Sequence, residues 1–296
     1  METSLARMRE IAISPGTFRR LASASALMLI VVVATGATVR LTASGLGCQH
    51  WPGCQPGDPL PAKGFHSYIE FGNRVVAGLT VLATLITLVG ALLTRGVKTW
   101  ARWVAAATFI GTFGQAPLGA ITVYYHLNPW LVLSHFLLSL VMITLAIVLL
   151  LEAWDVRGER VPAAVRRAGL VVAAAAVVLV VTGTLATAGG PHPGSNKDVR
   201  RLDTFGTAVY WHVRATAVFG VSLALLLVWL ARRRSRYLRF GLAIVGVLAA
   251  QMTVGEIQYR TELPWWLVLV HVTLAATLWA ATAAFVVALW RPSSIP

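Results

Sequence analysis

Three histidines lie inside otherwise apolar segments of the chain, and a fourth apolar segment carries an asparagine in the matching place. His135, His212, His271 and Asn73 all lie near one end of their segments. If the segments are helices, each histidine is about 5 to 7 residues in, or about 8 to 10 Å deep. Ionisable groups at such depth normally face the protein interior, and neutral imidazole is the commonest metal ligand in proteins. Metal binding is therefore one hypothesis, and a hydrogen bond between helices is the alternative.

The stretch "HSYIEFGNR", residues 66–74, brings charge to the start of an apolar segment. Glu70 is a carboxylate at the rim of a low-dielectric region, where it could stabilise developing positive charge or accept a proton. Arg74 follows Asn73 by one residue and Arg214 follows His212 by two. Each arginine could bind an anionic group through charge-assisted hydrogen bonds. An arginine that only extends toward the membrane surface is the alternative.

The two cysteines of the chain, Cys48 and Cys54, lie in the short stretch "CQHWPGC". In an oxidising compartment a disulfide is the simplest interpretation of such a pair. Two free thiols are the alternative. A zinc site would need more ligands than the nearby His50 supplies.

These residues must be positioned by membrane-spanning helices, because the chain is 57% hydrophobic and only 12% charged. A span needs about 20 mostly apolar residues. Eight segments meet this requirement, at residues 21–39, 68–94, 100–122, 129–152, 166–188, 206–231, 237–258 and 264–290. The fold class predicted is therefore an all-α integral membrane protein. The net charge of +14 is spread over the loops between the spans. Membrane topology explains this distribution better than nucleic-acid binding does.

Lys and Arg cluster before the first span and after the second, fourth and sixth spans. These residues are Arg7, Arg9, Arg19, Arg20, Arg95, Lys98, Arg102, Arg157, Arg160, Arg166, Arg167, Arg232, Arg233, Arg234, Arg236 and Arg239. The positive-inside rule then predicts a plasma-membrane protein with both termini in the cytoplasm and the cysteine loop outside. Glu256, in the seventh span, is expected to be buried against a neighbour, with no role assigned.

The chain contains an internal repeat. Residues 114–135 align without a gap on residues 250–271, so that Gly119 meets Gly255 and His135 meets His271. The first two spans also show a weaker sequence similarity to the fifth and sixth. We therefore predict two four-helix bundles related by a parallel repeat, with domains at residues 1–155 and 156–296. In the second bundle, His212 and His271 could face each other and hold a heme iron from both sides.

The motifs "GATVRLTASGLGCQHWPGC", "IEFGNR", "NPWLVLSH", "WHVR" and "WWLVLVH" together resemble the heme A synthase family over nearly the whole chain. The resemblance implies oxidation of the C8 methyl group of heme O to a formyl group, giving heme A for terminal oxidases. It implies a disulfide in the first outward loop and a heme b cofactor between His212 and His271. It also implies that the first half receives the substrate heme, with Glu70 as the essential acid.

The chain departs from the family pattern at Asn73, where many members carry a histidine. An amide is a poor ligand for heme iron, so His135 could hold the substrate iron alone, with Asn73 and Arg74 contacting the substrate. His66, on the same helix face, is an alternative second ligand. A diheme electron-transfer protein of the cytochrome b type and a heme carrier are alternative functions. As partners we expect heme O and membrane lipid, with heme O synthase, an electron donor and a second copy of the chain as further candidates.

Overall fold

The computed structural model describes residues 13–48, 50–51, 53–58, 60–61, 63–196 and 199–291. Arg7 and Arg9 of the predicted topology lie outside these residues. Within them the chain forms eight long helices and no strand. They are α1 (Pro15–Leu41), α2 (Phe65–Leu93), α3 (Thr99–Tyr124), α4 (Pro129–Ala153), α5 (Ala163–Gly189), α6 (Phe205–Arg232), α7 (Tyr237–Arg260) and α8 (Trp265–Leu289).

All eight helices are long and apolar enough to cross a membrane, so the predicted multi-pass fold is confirmed. Most of them extend a few residues beyond the predicted spans. Two of the helices begin at a side-chain cap. Ser14 caps α1 by accepting a hydrogen bond from the Thr17 amide, and Asn128 caps α4 by accepting one from the Trp130 amide. In both helices a proline follows the cap, where its missing N–H costs nothing.

The helices pack as two four-membered rings. In the first half α1 contacts α2 and α4, while α3 contacts α2 and α4; in the second half α5 to α8 repeat this pattern. The two rings meet where α4 packs on α8, with further contacts of α1 with α8 and of α4 with α5. These last two contacts are equivalent under the repeat, so a pseudo-twofold axis runs along the helices between α4 and α8. The pairing agrees with the predicted pair of four-helix bundles.

The halves are joined by polar contacts as well as by apolar packing. Trp279 on α8 donates its indole N–H to the Leu140 carbonyl and to the Thr144 hydroxyl on α4, both at 2.9 Å. At the end of the bundles that holds the cysteine loop, Arg40 of α1 donates to the carbonyl of Thr187 on α5 at 2.6 Å. Hydrogen bonds in this low-dielectric setting hold the two bundles in one fixed position relative to each other.

Candidate functional site

His212 on α6 and His271 on α8 face each other across the second bundle. Their ring centroids are 6.3 Å apart and the ring planes are inclined at 70°. An iron held between two imidazoles lies about 2 Å from each nitrogen, and each nitrogen lies roughly 1 Å from its ring centre, so the centroids would be about 6 Å apart. The spacing therefore fits an iron bound by both rings.

The hydrogen bonds of the His212 ring also fit metal ligation. Nδ1 of His212 lies 3.1 Å from the carbonyl oxygen of Leu179 and 3.4 Å from the Thr182 hydroxyl, both on α5. A metal-binding histidine commonly uses one ring nitrogen in this way, which orients the ring and leaves the other nitrogen for the metal. Nδ1 of His271 is buried and has no hydrogen-bond partner among the residues described.

A glycine on the preceding helix lies against each of these rings. A β-carbon added at Gly183 would stand 2.8 Å from Cε1 of His212, and one at Gly255 would stand 3.0 Å from Cε1 of His271. In the first half Gly119 has the same relation to His135, at 3.6 Å, and Gly36 faces the amide oxygen of Asn73 at 3.9 Å. The four helix pairs therefore share one arrangement: a glycine on the odd-numbered helix and a polar side chain on the even-numbered helix.

In the first half, the predicted substrate residues lie on α2 and α4. Asn73 accepts a hydrogen bond from the Thr35 hydroxyl at 2.7 Å. His135 is half-buried, and its Nδ1 has no hydrogen-bond partner in the described part of the chain, like that of His271. Gln115 on α3 donates to the His135 carbonyl and to the Ser139 hydroxyl, while its own amide oxygen is buried and unpaired among the same residues.

Glu70 is buried, with 4% of its surface exposed, and it fastens the cysteine loop to α2. Its Oε2 accepts the Cys48 amide at 2.8 Å and its Oε1 accepts Arg74 at 2.6 Å. Arg74 in turn donates to the carbonyls of His50, Gly53 and Cys48, at 2.6, 2.5 and 3.2 Å. The carboxylate and the guanidinium therefore form one network with the loop backbone, which was not foreseen from the sequence.

The predicted disulfide between Cys48 and Cys54 is confirmed, and both cysteines are buried. Their Cα atoms are 4.3 Å apart. Cys48 lies against α2 at Glu70, since the Cys48 amide binds its carboxylate. The disulfide thus holds the partner of Glu70 in place.

The structure also places Arg214, His66 and Glu256, which the sequence analysis named. Arg214 is exposed, and its guanidinium lies over the Tyr210 ring at 3.1 Å from the centroid. His66 lies against the Ser44 hydroxyl, 2.9 Å from Nδ1. The expectation that Glu256 is buried was wrong: its side chain is 60% exposed and pairs with Arg260, one turn away, at 2.5 Å. An i,i+4 pair on the outer surface of a helix explains this acid without a buried partner.

Fold and site together define a multi-pass all-α membrane protein, built from two pseudo-symmetric four-helix bundles with a facing pair of imidazoles in the second. The chain belongs to the cytochrome oxidase assembly protein family COX15-CtaA, whose sequence profile matches residues 19–64 and 59–283.

Several similar proteins are named heme A synthase. The one from Geobacillus kaustophilus is 24% identical over 271 residues, which cover 84% of this chain and 84% of that protein. The one from Symbiobacterium thermophilum is 32% identical over 130 residues, 44% of this chain and 42% of that protein. The one from Geobacillus thermodenitrificans is 30% identical over 136 residues, 45% of this chain and 41% of that protein. In the last two comparisons the match spans about two fifths of the relative.

Proposed function

We propose that this protein is a heme A synthase, a membrane oxidoreductase that oxidises the C8 methyl group of heme O to a formyl group. The family and the names of the similar proteins support this activity. The observation that favours an enzyme over a diheme electron carrier is an asymmetry within a symmetric fold. The second bundle pairs His212 with His271, whereas the first bundle has Asn73 and His135 in the matching places, with the buried acid Glu70 one turn from Asn73.

The asymmetry matters because the two sites would do different work. Two strong imidazole ligands suit a permanently bound electron-transfer cofactor, whose iron needs no open position. A site with one imidazole and one amide holds an iron less firmly and leaves one face available. Such a site suits a heme that must enter, be oxidised and leave.

The residues take the following roles in this proposal. His212 and His271 would hold heme b, and Arg214 would bind one of its carboxylates. When bound, heme b supplies one-electron chemistry to the reaction. His135 binds the iron of heme O, while Asn73 and Arg74 orient the substrate from α2. The support for these roles is the shared depth of the four polar positions and the glycine that faces each of them.

Glu70 would accept a proton released during oxidation of the methyl group. Both carboxylate oxygens already have donors, from Cys48 and Arg74. These donors fix the direction of the carboxylate and would keep it preorganised for its task. Arg74 would therefore act mainly by positioning Glu70, in addition to its expected contact with substrate.

We also propose that the protein lies in the plasma membrane with both termini in the cytoplasm and the disulfide loop outside. Its cofactor would be heme b and its substrate heme O. Heme O synthase and an electron donor would be its partners, with association of two copies as a further expectation. The support for the orientation is the distribution of Lys and Arg between the helices.

The activity is tested by measuring heme A and heme O, extracted and identified by mass, in membranes that contain the protein and a source of heme O. Glu70→Gln should keep the second-half heme but lower the rate of heme A formation about 100-fold or more, as expected for loss of a general base. Glu256→Gln, which changes an exposed acid of another helix, is the matched control and should form heme A normally.

Other outcomes would contradict parts of the proposal. Wild-type heme A formation by Glu70→Gln would remove Glu70 from the mechanism. A wild-type protein that binds two hemes and converts neither, when heme O is supplied, would indicate a diheme cytochrome. A protein that releases heme O unchanged to other proteins would indicate a carrier.

A further inference from the structure

At the end of the bundles opposite the cysteine loop, a cleft of about 480 Å³ opens between the two halves. This volume lies within the range of about 300 to 1,000 Å³ that is usual for small-molecule sites. Its lining combines cationic and large apolar side chains, including Lys98, Arg157, Arg291, Trp100, Leu170 and Trp290. These residues come from both halves, and none belongs to the site described above.

The cations of the cleft share too few carboxylates. Glu152 at the end of α4 lies 3.2 Å from Nζ of Lys98, 3.6 Å from Arg157, and is hydrogen-bonded to Arg291. Asp155 pairs only with Arg157, at 2.7 Å, among the residues described. Three cationic groups therefore face two carboxylates, and the cluster keeps an excess of positive charge.

Arg291 is the most buried of the three cations, with 9% of its surface exposed. Its Nη1 is buried and has no hydrogen-bond partner in the described part of the chain. Its backbone is held in place, because its carbonyl accepts the Gly158 amide at 3.0 Å. Burial holds the pKa of the Arg291 guanidinium below its usual range. A buried donor left unpaired is costly, so this nitrogen points to a missing acceptor.

The apolar wall of the cleft continues onto the outer surface of the helices. Trp100, Leu170 and Trp290 are all between 42% and 49% exposed. In a membrane, tryptophans at the end of a span lie at the level of the lipid headgroups, and the apolar surface below them contacts acyl chains. The cleft therefore places an excess of cationic donors where a lipid headgroup would lie.

We propose that this cleft binds an anionic phospholipid, with its phosphodiester held by Lys98, Arg157 and Arg291 and its acyl chains lying along Trp100 and Leu170. Its single negative charge would balance the excess of the cluster, and its oxygens would accept from Nη1 of Arg291. Basic pockets between spanning helices on the cytoplasmic side are suited to such lipids. This is the end that the arginine distribution predicts to be cytoplasmic. The lipid would join the two halves, because Lys98 belongs to the first and Arg291 to the second.

The test is lipid titration of the delipidated full-length protein in detergent, followed by native mass spectrometry. Phosphatidylglycerol should bind with one high-affinity site and phosphatidylcholine should bind more weakly. The double variant Lys98→Gln/Arg157→Gln should bind phosphatidylglycerol about tenfold or more weakly. Both side chains are partly exposed, so this variant should fold. Arg291→Gln should have the same effect, with its melting temperature without lipid as the check on folding.

The matched control is Arg232→Gln/Arg233→Gln, which removes the same charge from exposed residues at the end of α6. It should keep the high-affinity site. Equal affinity of the control and the cleft variant for phosphatidylglycerol would overturn the proposal. Displacement of the lipid by millimolar inorganic phosphate would also overturn it, because the cleft would then be a site for free phosphate.

Discussion

Gly183 on α5 lies against the imidazole of His212 on α6, so closely that a β-carbon at position 183 would stand 3.1 Å from Nδ1 and 2.8 Å from Cε1 of that ring. Small residues commonly allow helices and side chains to approach closely in membranes. Here the approach brings Nδ1 within reach of the Leu179 carbonyl, which orients the ring. The glycine thus acts on the proposed iron ligand by packing against its ring.

We predict that Gly183→Ala weakens binding of the second-half heme. The added methyl group would push the His212 ring away and disturb its hydrogen bond to Leu179, and changes of this kind typically cost about 10- to 100-fold in metal affinity. The measurement is the heme b content and low-spin spectrum of the purified variant. Gly246→Ala on α7 is the control, since no atom lies within 4 Å of a β-carbon there. An unchanged spectrum in Gly183→Ala would contradict the prediction.

We predict that His212→Ala and His271→Ala each remove the tightly bound low-spin heme b while the helices still insert. Each change would leave a single imidazole to hold the iron. Heme content is measured on protein purified at equal yield. His135→Ala is the control and should keep this heme. If both single variants keep the full spectrum, the two residues are not the ligands.

We predict that Cys48→Ser/Cys54→Ser lowers the thermal stability of the first half. The second-half heme should change little. The disulfide links residues 6 positions apart. Closing a loop of that size is worth about 2 kcal/mol in the chain-entropy account. The readouts are the temperature of thermal inactivation and the heme b spectrum, with and without reductant. A thermal midpoint equal to that of the wild type would show that Glu70 and Arg74 hold the loop without the disulfide.

The spans and the disulfide could be predicted from the sequence because their signals are local. Twenty apolar residues in a row have few alternatives to a membrane helix, and Cys48 and Cys54 are close in the chain. The matching depth of His212 and His271 could also be predicted, since depth depends only on the position within a span. Whether the two rings face each other depends on how each helix is rotated about its axis. The repeat suggested that they do, and the structure shows the two rings facing each other.

The contacts that the sequence did not reveal depend on the rotation of helices and on loop conformation. Gly119 and Gly255 were visible as aligned positions of the repeat, but nothing local indicated that they face imidazoles. The network between Glu70, Arg74 and the loop carbonyls depends on where the backbone of Cys48, His50 and Gly53 lies against α2. Glu256 was expected to be buried because acids are rare in spans. It lies instead on the helix surface, where it pairs with Arg260.

The two halves suggest how to convert one site into the other. Thr35 donates to the Asn73 amide oxygen at 2.7 Å, and Thr182, in the matching place of the second half, lies 3.4 Å from Nδ1 of His212. A histidine at position 73 would therefore find a hydroxyl near its Nδ1, as His212 does. The neighbouring Gly36 leaves room for the ring, since its β-carbon would stand 3.9 Å from Asn73 Oδ1.

We predict that Asn73→His changes the iron of a heme bound in the first half from high spin toward low spin, because a second imidazole becomes available opposite His135. The variant is made in a His212→Ala background, so that the second-half heme does not contribute, and electron paramagnetic resonance is recorded after heme O is added. Asn73→Ala in the same background is the control and should stay high spin. The tighter ligation should also slow formation of heme A in the otherwise wild-type protein, because a substrate held by two imidazoles leaves no open face. A high-spin signal that persists in Asn73→His would mean that position 73 does not face the iron bound by His135.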